Sequence, residues 1–98
     1  MTEADLERKI VKYVKEKGGL ALKWVSPSMA GVPDRIIIMP GGVIIFAEIK
    51  RPGLKDGLGP RQRYVADLLG GLGCIVWRVS DFERFKVDLQ TVLLSKVR

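Results

Sequence analysis

The chain has 98 residues, 47% of them hydrophobic, which is enough for one domain with its own core and too apolar for a disordered chain. Lysine and arginine outnumber aspartate and glutamate by 17 to 11, and this excess of positive charge favours a polyanionic partner. Histidine is absent, which excludes histidine metal ligands and histidine general bases, and the single cysteine, Cys74, excludes an internal disulfide. No apolar run approaches the roughly 18 residues of a membrane helix.

The first predicted element is a helix over residues 2–17. Thr2 and Asp5 have the spacing of a capping box at its start, and two glycines at 18–19 end it. Apolar residues recur at helical spacing at Leu6, Ile10, Tyr13 and Val14. Residues 20–26, LALKWVS, alternate between apolar and polar, which predicts a strand. The acidic, amphipathic start is unlike a signal peptide.

A hairpin is predicted next, from strands at 34–39 and 43–49 whose apolar runs suggest burial on both faces. A two-residue loop of glycines would pair Pro40 with Val43 and point Asp34 away from Glu48. A three-residue loop, residues 40–42, would pair residue 39 with Val43 and place Asp34 directly across from Glu48. The longer loop is the better turn, because proline suits the first loop position of a type I turn and a glycine can take the left-handed bulge position.

The rest of the chain predicts a helix, a strand and a helix. Pro60 suits the first turn of a helix that runs to about Leu69, and residues 74–79 form a fourth strand. Ser80 and Asp81 can cap the last helix. The order helix-strand-strand-strand-helix-strand-helix predicts one α/β domain over residues 1–98, with a mixed central sheet flanked by helices and a parallel crossover between the third and fourth strands.

Three charged groups stand at the open end of the predicted hairpin. Glu48 and Lys50 are two residues apart on one strand and share a face, and the three-residue loop brings Asp34 to the same face. Two carboxylates so close repel each other unless a proton or a cation separates them. Oxygen ligands without histidine favour Mg²⁺ or Mn²⁺, so the pattern predicts a metal site next to a lysine. A salt-bridged trio at a sheet end is the structural alternative.

A basic loop follows the hairpin. Residues 50–63 contain one acidic residue, Asp56, and enough glycine and proline to predict an exposed loop that runs into a helix start. The basic residues of this stretch are Lys50, Arg51, Lys55, Arg61 and Arg63. The last four are candidates for contacts with phosphate groups.

These motifs together resemble a known nuclease family. Pro33-Asp34, thirteen residues and then Glu48-x-Lys50 resemble the PD-(D/E)xK signature. The strings GVPDRIII and VIIFAEIKRPG, with Gln62 downstream, are similar to the VRR-NUC family, the virus-type replication-repair nucleases. The resemblance spans nearly the whole chain and implies the restriction-endonuclease-like α/β core.

The resemblance also implies a role for each matching residue. Asp34 and Glu48 would be metal ligands together with the main-chain carbonyl of Ile49. Lys50 would position the attacking water and offset charge on the scissile phosphate, and Gln62 would line the site as a further catalytic residue. The implied cofactor is Mg²⁺ or Mn²⁺.

An acidic residue on the first helix belongs to the same family pattern, and Glu3 and Glu7 both compete for it. At 100° per residue, the centre of the apolar helix face lies about 20° from Glu3 and about 60° from Glu7, which favours Glu3 as a catalytic residue and possible metal ligand. An acid in a first turn can equally serve the helix dipole. The family often has a lysine on the preceding strand, which favours Lys23 as a phosphate contact.

The expected function is a metal-dependent, structure-selective DNA endonuclease. Nothing resembles a base-reading element, so binding would depend on DNA structure, and a twofold homodimer would suit a four-way (Holliday) junction. The apolar final region and the two tryptophans are expected to supply the interface of this dimer. A nuclease for flap or other DNA and a catalytically silent nucleic-acid-binding module are the alternatives. The expected setting is the cytoplasm of a bacterium, with a bacterial or phage gene and no membrane partner.

Overall fold

The structure is a computed structural model that describes residues 1–53 and 57–96. Its helices and strands follow in the order α1 (Glu3–Glu16), β1 (Leu20–Lys23), β2 (Arg35–Met39), β3 (Val43–Ile49), α2 (Pro60–Gly71), β4 (Ile75–Val79) and α3 (Phe82–Lys96). This is the predicted order of elements. Among the described residues, no helix is long and apolar enough to cross a membrane.

The four strands form one mixed sheet in the order β1-β2-β3-β4. The first three strands are antiparallel neighbours, and β4 lies parallel to β3. The parallel step is possible because α2 lies between β3 and β4 in the chain and carries it back to the start of the sheet. The predicted mixed sheet with flanking helices is confirmed.

Local capping signals act where the sequence predicted them. The hydroxyl of Thr2 accepts a hydrogen bond from the amide of Asp5, and the Asp5 carboxylate accepts one from the amide of Thr2. At α3, Oδ1 of Asp81 accepts from the amides of Glu83 and Arg84. Each bond satisfies an amide that the first helical turn leaves without a partner.

The hairpin has the register that the three-residue loop requires. Met39 pairs with Val43 and Arg35 with Ala47, so one further step sets Asp34 opposite Glu48. The expected type I turn was wrong, however. The amide of Gly42 donates to the carbonyl of Met39 at 3.1 Å, and the third turn residue, Gly41, has a φ of +88°. That positive φ is the sign of a type II turn, which glycine allows at this position.

Three strand boundaries differ from the sequence prediction. β1 ends at Lys23 instead of residue 26, and β2 begins at Arg35 instead of residue 34. One ladder contact continues beyond them, since the amide of Trp24 donates to the carbonyl of Asp34 at 3.0 Å. At the other end of the domain, α2 extends to Gly71 and β4 starts at Ile75.

The core lies between one face of the sheet and the pair α1 and α3. Every second residue of the hairpin points into it, as the period of a strand requires. The fully or almost fully buried residues include Leu6, Ile10 and Val14 of α1, Ile37, Met39, Val43, Ile45, Ala47 and Ile49 of the hairpin, and Phe85 and Leu89 of α3.

The opposite face of the sheet is only partly covered, so the expectation that the hairpin is buried on both faces was wrong. α2 packs against β4, which leaves the face over β1 and β2 open. Leu20 is 58% exposed there, and Leu22 and Ile44 are each 46% exposed. We call this surface the open face. It consists of Leu20, Leu22, Ile36, Ile38 and Ile44, which the pairing of β1, β2 and β3 places on one side of the sheet.

Candidate active site

The predicted acidic pair lies at the edge where β2 begins and β3 ends. Asp34 directly precedes β2, and Glu48 is the next-to-last residue of β3. Oδ2 of Asp34 accepts a 2.8 Å hydrogen bond from the amide of Ile49. This bond fixes one oxygen of Asp34 against the end of β3, next to Glu48.

Glu48 is the one charged residue of the described chain that is buried, with 5% of its surface exposed. Burial and then the negative charge of Asp34 raise the pKa of Glu48 to about 8, and a hydrogen bond with the Asp34 carboxyl acts in the same direction. The positive charge of Lys50 opposes the shift, and Glu3 adds to it. Glu48 therefore holds a proton at neutral pH unless another positive charge reaches the pair.

Gln62, at the start of α2, connects the groups of the site. Its Nε2 donates to Oε1 of Glu48 at 3.0 Å, while its Oε1 accepts from Nζ of Lys50 at 3.1 Å. The same oxygen accepts from the amide of Gly59 at 3.1 Å, which satisfies the N-cap amide of the helix. Two donors thus hold the amide oxygen, and the NH₂ group is left to face the carboxyl of Glu48.

Lys50 completes the cluster. Its Nζ lies 3.9 Å from Oε1 of Glu48, and its side chain is mostly buried beside Gln62. The structure therefore brings together four of the predicted catalytic residues, namely Asp34, Glu48, Lys50 and Gln62.

The two acids of α1 have different surroundings. Glu7 accepts a 2.8 Å hydrogen bond from Nε of Arg35, which also donates to the carbonyl of Ala21. Glu3 is exposed, but it lies close enough to Glu48 for its charge to raise the pKa of that carboxyl. Glu3 is thus the helix acid that is coupled to the site, while Glu7 forms a separate ion pair with Arg35.

Some of the predicted phosphate contacts lie away from the cluster. Lys23 pairs with Arg35 in the sheet register, so its side chain is on the opposite face from Glu48. Arg61 donates from Nε to the carbonyl of Ala30 at 3.1 Å and lies over the ring of Tyr64, which gives this arginine a structural role.

The other three predicted contacts belong to the basic loop and the start of α2. Arg51 and Arg63 are exposed, and Lys55 lies outside the described residues. Contact with DNA stays a prediction for all five residues, namely Lys23, Arg51, Lys55, Arg61 and Arg63.

Arg78 is a residue that the sequence reasoning missed. It pairs with Glu48 across the parallel β3–β4 ladder, and both line a cavity of about 270 Å³ under α2, together with Gln62. Its NH1 also donates to the hydroxyl of Ser80 at 3.3 Å. An arginine inside the apolar string CIVWRV was the available signal, because a charged residue that is largely buried needs a polar neighbour.

The donor atoms of the site are suitable for a hard divalent cation. Asp34 and Glu48 are two adjacent carboxyls, and the raised pKa of Glu48 shows that their charges conflict without additional positive charge. Within the described residues, no group of three or more acidic or cysteine side chains is close enough to form a ligand set. Asp34 and Glu48 can therefore supply two side-chain ligands, and main-chain carbonyl or water oxygens can supply the others.

Comparison with known proteins identifies similar proteins by sequence and by structure. No protein-family model matches the sequence. A protein of Acyrthosiphon pisum secondary endosymbiont phage 1, named "Putative nuclease p44", is 49% identical over 53 residues, which are 54% of this chain and 57% of the phage protein. The match thus spans little more than half of either protein.

A solved structure titled "VRR_NUC domain" has the same architecture. It superposes with a TM-score of 0.83 at 24% identity and covers 92% of this chain and 97% of that domain. The order of elements and the mixed four-stranded sheet agree with it. The chain therefore has the fold of a VRR_NUC domain, which confirms at the level of the fold the resemblance that the sequence motifs indicate.

Proposed function

We propose that the chain is a nuclease of the VRR-NUC type, which hydrolyses phosphodiester bonds within DNA with the help of Mg²⁺ or Mn²⁺. The observation that carries the proposal is the cluster of Asp34, Glu48, Lys50 and Gln62, in which the buried carboxyl of Glu48 lies between the Asp34 carboxyl, which repels it, and a lysine. The fold of a VRR_NUC domain and the similarity to a phage protein named as a nuclease support it.

Each side chain has a defined task in this proposal. Asp34, Glu48 and the carbonyl oxygen of Ile49 would hold the cation, which supplies Lewis-acid stabilisation of negative charge on the phosphate. Glu48 must lose its proton before it can act as a ligand, because a ligating carboxyl has to be ionised. The ammonium group of Lys50 has three donors, and Gln62 occupies one of them at 3.1 Å. The other donors can contact the scissile phosphate and its attacking water.

Hydrolysis forms a bond between the water oxygen and phosphorus, with loss of a proton from the water, and breaks the bond from phosphorus to the leaving oxygen, which gains a proton. Negative charge grows on the phosphate oxygens during this step. Lys50 is suited to stabilise that charge because it lies 3.9 Å from Glu48 and is held in place by Gln62. A side chain that is positioned before the reaction loses little further entropy in it.

The test is cleavage of labelled duplex, flap and four-way-junction DNA by the purified protein with Mg²⁺, Mn²⁺ or EDTA. We expect metal-dependent cutting by the wild type and loss of cutting in Lys50→Ala, with thermal melting to check that the variant is folded. Arg84→Ala on α3 is the control, since this exposed arginine pairs only with Asp88 in its own helix. DNA binding without cutting under any metal would instead favour a silent binding module.

We further propose that the protein acts as a homodimer on branched DNA such as a four-way junction. The expected source of dimer surface needs revision, since Phe85 and Leu89 of the final helix are buried in the core and Trp24 and Trp77 pack on aromatic neighbours. The open face is the better candidate, because the described part of the chain leaves its leucines and isoleucines partly in water. A second copy related by a twofold axis would cover an apolar surface with the same surface.

Light scattering tests this dimer directly. We expect the wild type at micromolar concentration to have twice the mass of the chain, and Leu22→Lys to have the mass of a monomer. Leu94→Lys is the control, because Leu94 is 69% exposed on α3 and lies outside the open face. A wild-type monomer, or dimers in both variants, would contradict the open face as the dimer interface.

A further inference from the structure

A groove along the outer side of α1 has no part in the site described above. It has a volume of about 510 Å³ and lies beside the helix and the start of β2. Its charged lining consists of Arg8, Lys12, Lys15, Arg35 and one acid, Glu7. The floor is small and apolar at Ala4 and Val11. Four cations against one carboxylate make the groove strongly basic.

Two of the four groove cations are available to a partner, because the other two form ion pairs within the chain. Glu7 is neutralised by Arg35 at 2.8 Å, so the one acid of the groove attracts no further cation. Arg8 forms an ion pair with Asp5 on the exposed side of the helix. Lys12 and Lys15 are exposed, and within the described part of the chain neither has an ion-pair partner.

Lys23 extends the basic surface onto the sheet. It is exposed at the end of β1 and pairs with Arg35 in register, which places it on the same side of the sheet as the groove. We call the set of Arg8, Lys12, Lys15, Lys23 and Arg35 the helix groove. The sheet register points the side chain of Lys23 away from Glu48 and places it on this surface, apart from the catalytic cluster.

We propose that the helix groove binds the phosphate backbone of a duplex arm that extends from the cleavage site, an inference that rests on the proposed nuclease function. Arg8, Lys12 and Lys15 follow one side of α1 at steps of four and three residues. At 1.5 Å per residue they span about 10 Å, and one DNA strand places a phosphate every 3.4 Å or so along its axis. That length covers about four phosphates of one strand, and the three side chains can contact phosphates within this stretch.

The position of the groove relative to the site fits a continuous path for DNA. Glu7 of α1 accepts a hydrogen bond from Arg35, the residue next to Asp34, so the first two turns of the helix lie near the catalytic end of the sheet. The groove begins in the first turn, at Ala4, and follows the helix to Lys15, away from that end. A duplex that enters the site can thus continue along α1, and its contacts are charge contacts without a base-reading element.

The test compares two double variants that lose the same charge. Lys12→Ala with Lys15→Ala removes two groove cations, and Arg84→Ala with Lys86→Ala removes two cations from α3. Binding to a junction with Ca²⁺ present is measured at several salt concentrations. The slope of log K against log salt is negative, and each lost phosphate contact reduces its magnitude by about 0.9. We therefore expect the magnitude of the slope to fall by about 1.8 in the groove variant and to stay close to the wild-type value in the α3 variant.

Arm length provides a second measurement. Wild-type affinity should rise as the duplex arm is extended beyond the cleavage site, and this gain should disappear in the groove variant while short substrates are still cut. Equal slopes and equal arm-length dependence in the two double variants would overturn the helix groove and leave the nuclease proposal intact. A wild type that neither binds nor cuts DNA would overturn both.

Discussion

The amide nitrogen of Gln62 donates a 3.0 Å hydrogen bond to Oε1 of Glu48, and this bond connects the first turn of α2 to the end of β3. The oxygen of the same amide accepts from the N-cap amide of Gly59 and from Lys50. One side chain therefore caps a helix and orients both Glu48 and Lys50 of the candidate site. The position of α2 and the geometry of the cluster depend on each other.

Replacement of Gln62 by alanine should reduce both cleavage and stability. We expect cleavage to fall by roughly 10- to 100-fold, as for other groups that orient a ligand. The loss of a helix cap should cost about 1 kcal/mol of unfolding free energy. Single-turnover cleavage and thermal melting measure the two effects. Gln90→Ala is the control, because Gln90 is an exposed residue of α3 that bonds Tyr13. Unchanged cleavage in Gln62→Ala would refute the positioning role.

The raised pKa of Glu48 predicts a pH-dependent loss of stability in metal-free protein. The folded pKa is about 8 and the ordinary value is 4.5, so between these values the folded chain keeps a proton that the unfolded chain releases. The contribution of this proton to the free energy of unfolding is fully present below the pKa of Glu48 in the unfolded chain, and it is lost as the pH rises through the folded value of about 8. Wild type should thus melt at a lower temperature at pH 9 than at pH 6.

Glu48→Gln should remove most of that pH dependence, because glutamine stays neutral. At pH 9 the variant should be more stable than wild type by roughly 1–3 kcal/mol, the range for an uncompensated buried polar group, or at least about 4 °C in Tm. Melting curves in EDTA across pH 6–9 measure this. Parallel curves for the two proteins would show that Glu48 has no raised pKa.

Metal binding should compete with the same proton. We expect the apparent affinity for Mg²⁺ to increase by up to about tenfold per pH unit below pH 8 and to level off above it, since the ligand must be ionised. Titration with metal, followed by the shift of Tm, measures the affinity. The free energy of unfolding should increase by about 2.7 kcal/mol when the metal concentration is one hundred times the dissociation constant. Asp34→Asn should abolish the shift. An equal shift in that variant would exclude ligation by the acidic pair.

Gly31 should be far more sensitive to substitution than Gly41, although both have a positive φ. Gly31 has a φ of +86°, and a Cβ there would lie 2.7 Å from the side chain and 2.8 Å from the carbonyl oxygen of Arg61. Gly41 has a φ of +88° with nothing within 4 Å. We expect Gly41→Ala to cost about 1–2 kcal/mol for the left-handed backbone alone. Gly31→Ala should cost more and displace the start of α2, which weakens cleavage.

Urea unfolding and cleavage assays on the two glycine variants test this contrast. Equal losses of stability, or normal cleavage in Gly31→Ala, would show that the close approach of Arg61 to Gly31 does not hold α2 against the site. The comparison isolates the effect of the contact with Arg61, because the backbone strain is nearly the same at both glycines.

The sequence by itself determined the order of elements and the register of the hairpin. Helix caps, glycines and apolar periodicity are local signals, so they predict where helices and strands form without knowledge of tertiary contacts. The turn at residues 40–42 determined the pairing of Met39 with Val43, and this pairing alone sets Asp34 across from Glu48. The acidic pair could therefore be found from the sequence.

Three features of the protein depend on tertiary contacts and have no local signal in the sequence. The ion pair between Glu7 and Arg35 forms only because α1 lies on that side of the sheet. The place of Arg78 next to Glu48 follows from the parallel β3–β4 register, which a crossover through α2 does not determine locally. The open face likewise depends on where α2 packs. These features arise from contacts between residues far apart in the chain, and the position of whole helices on the sheet sets them.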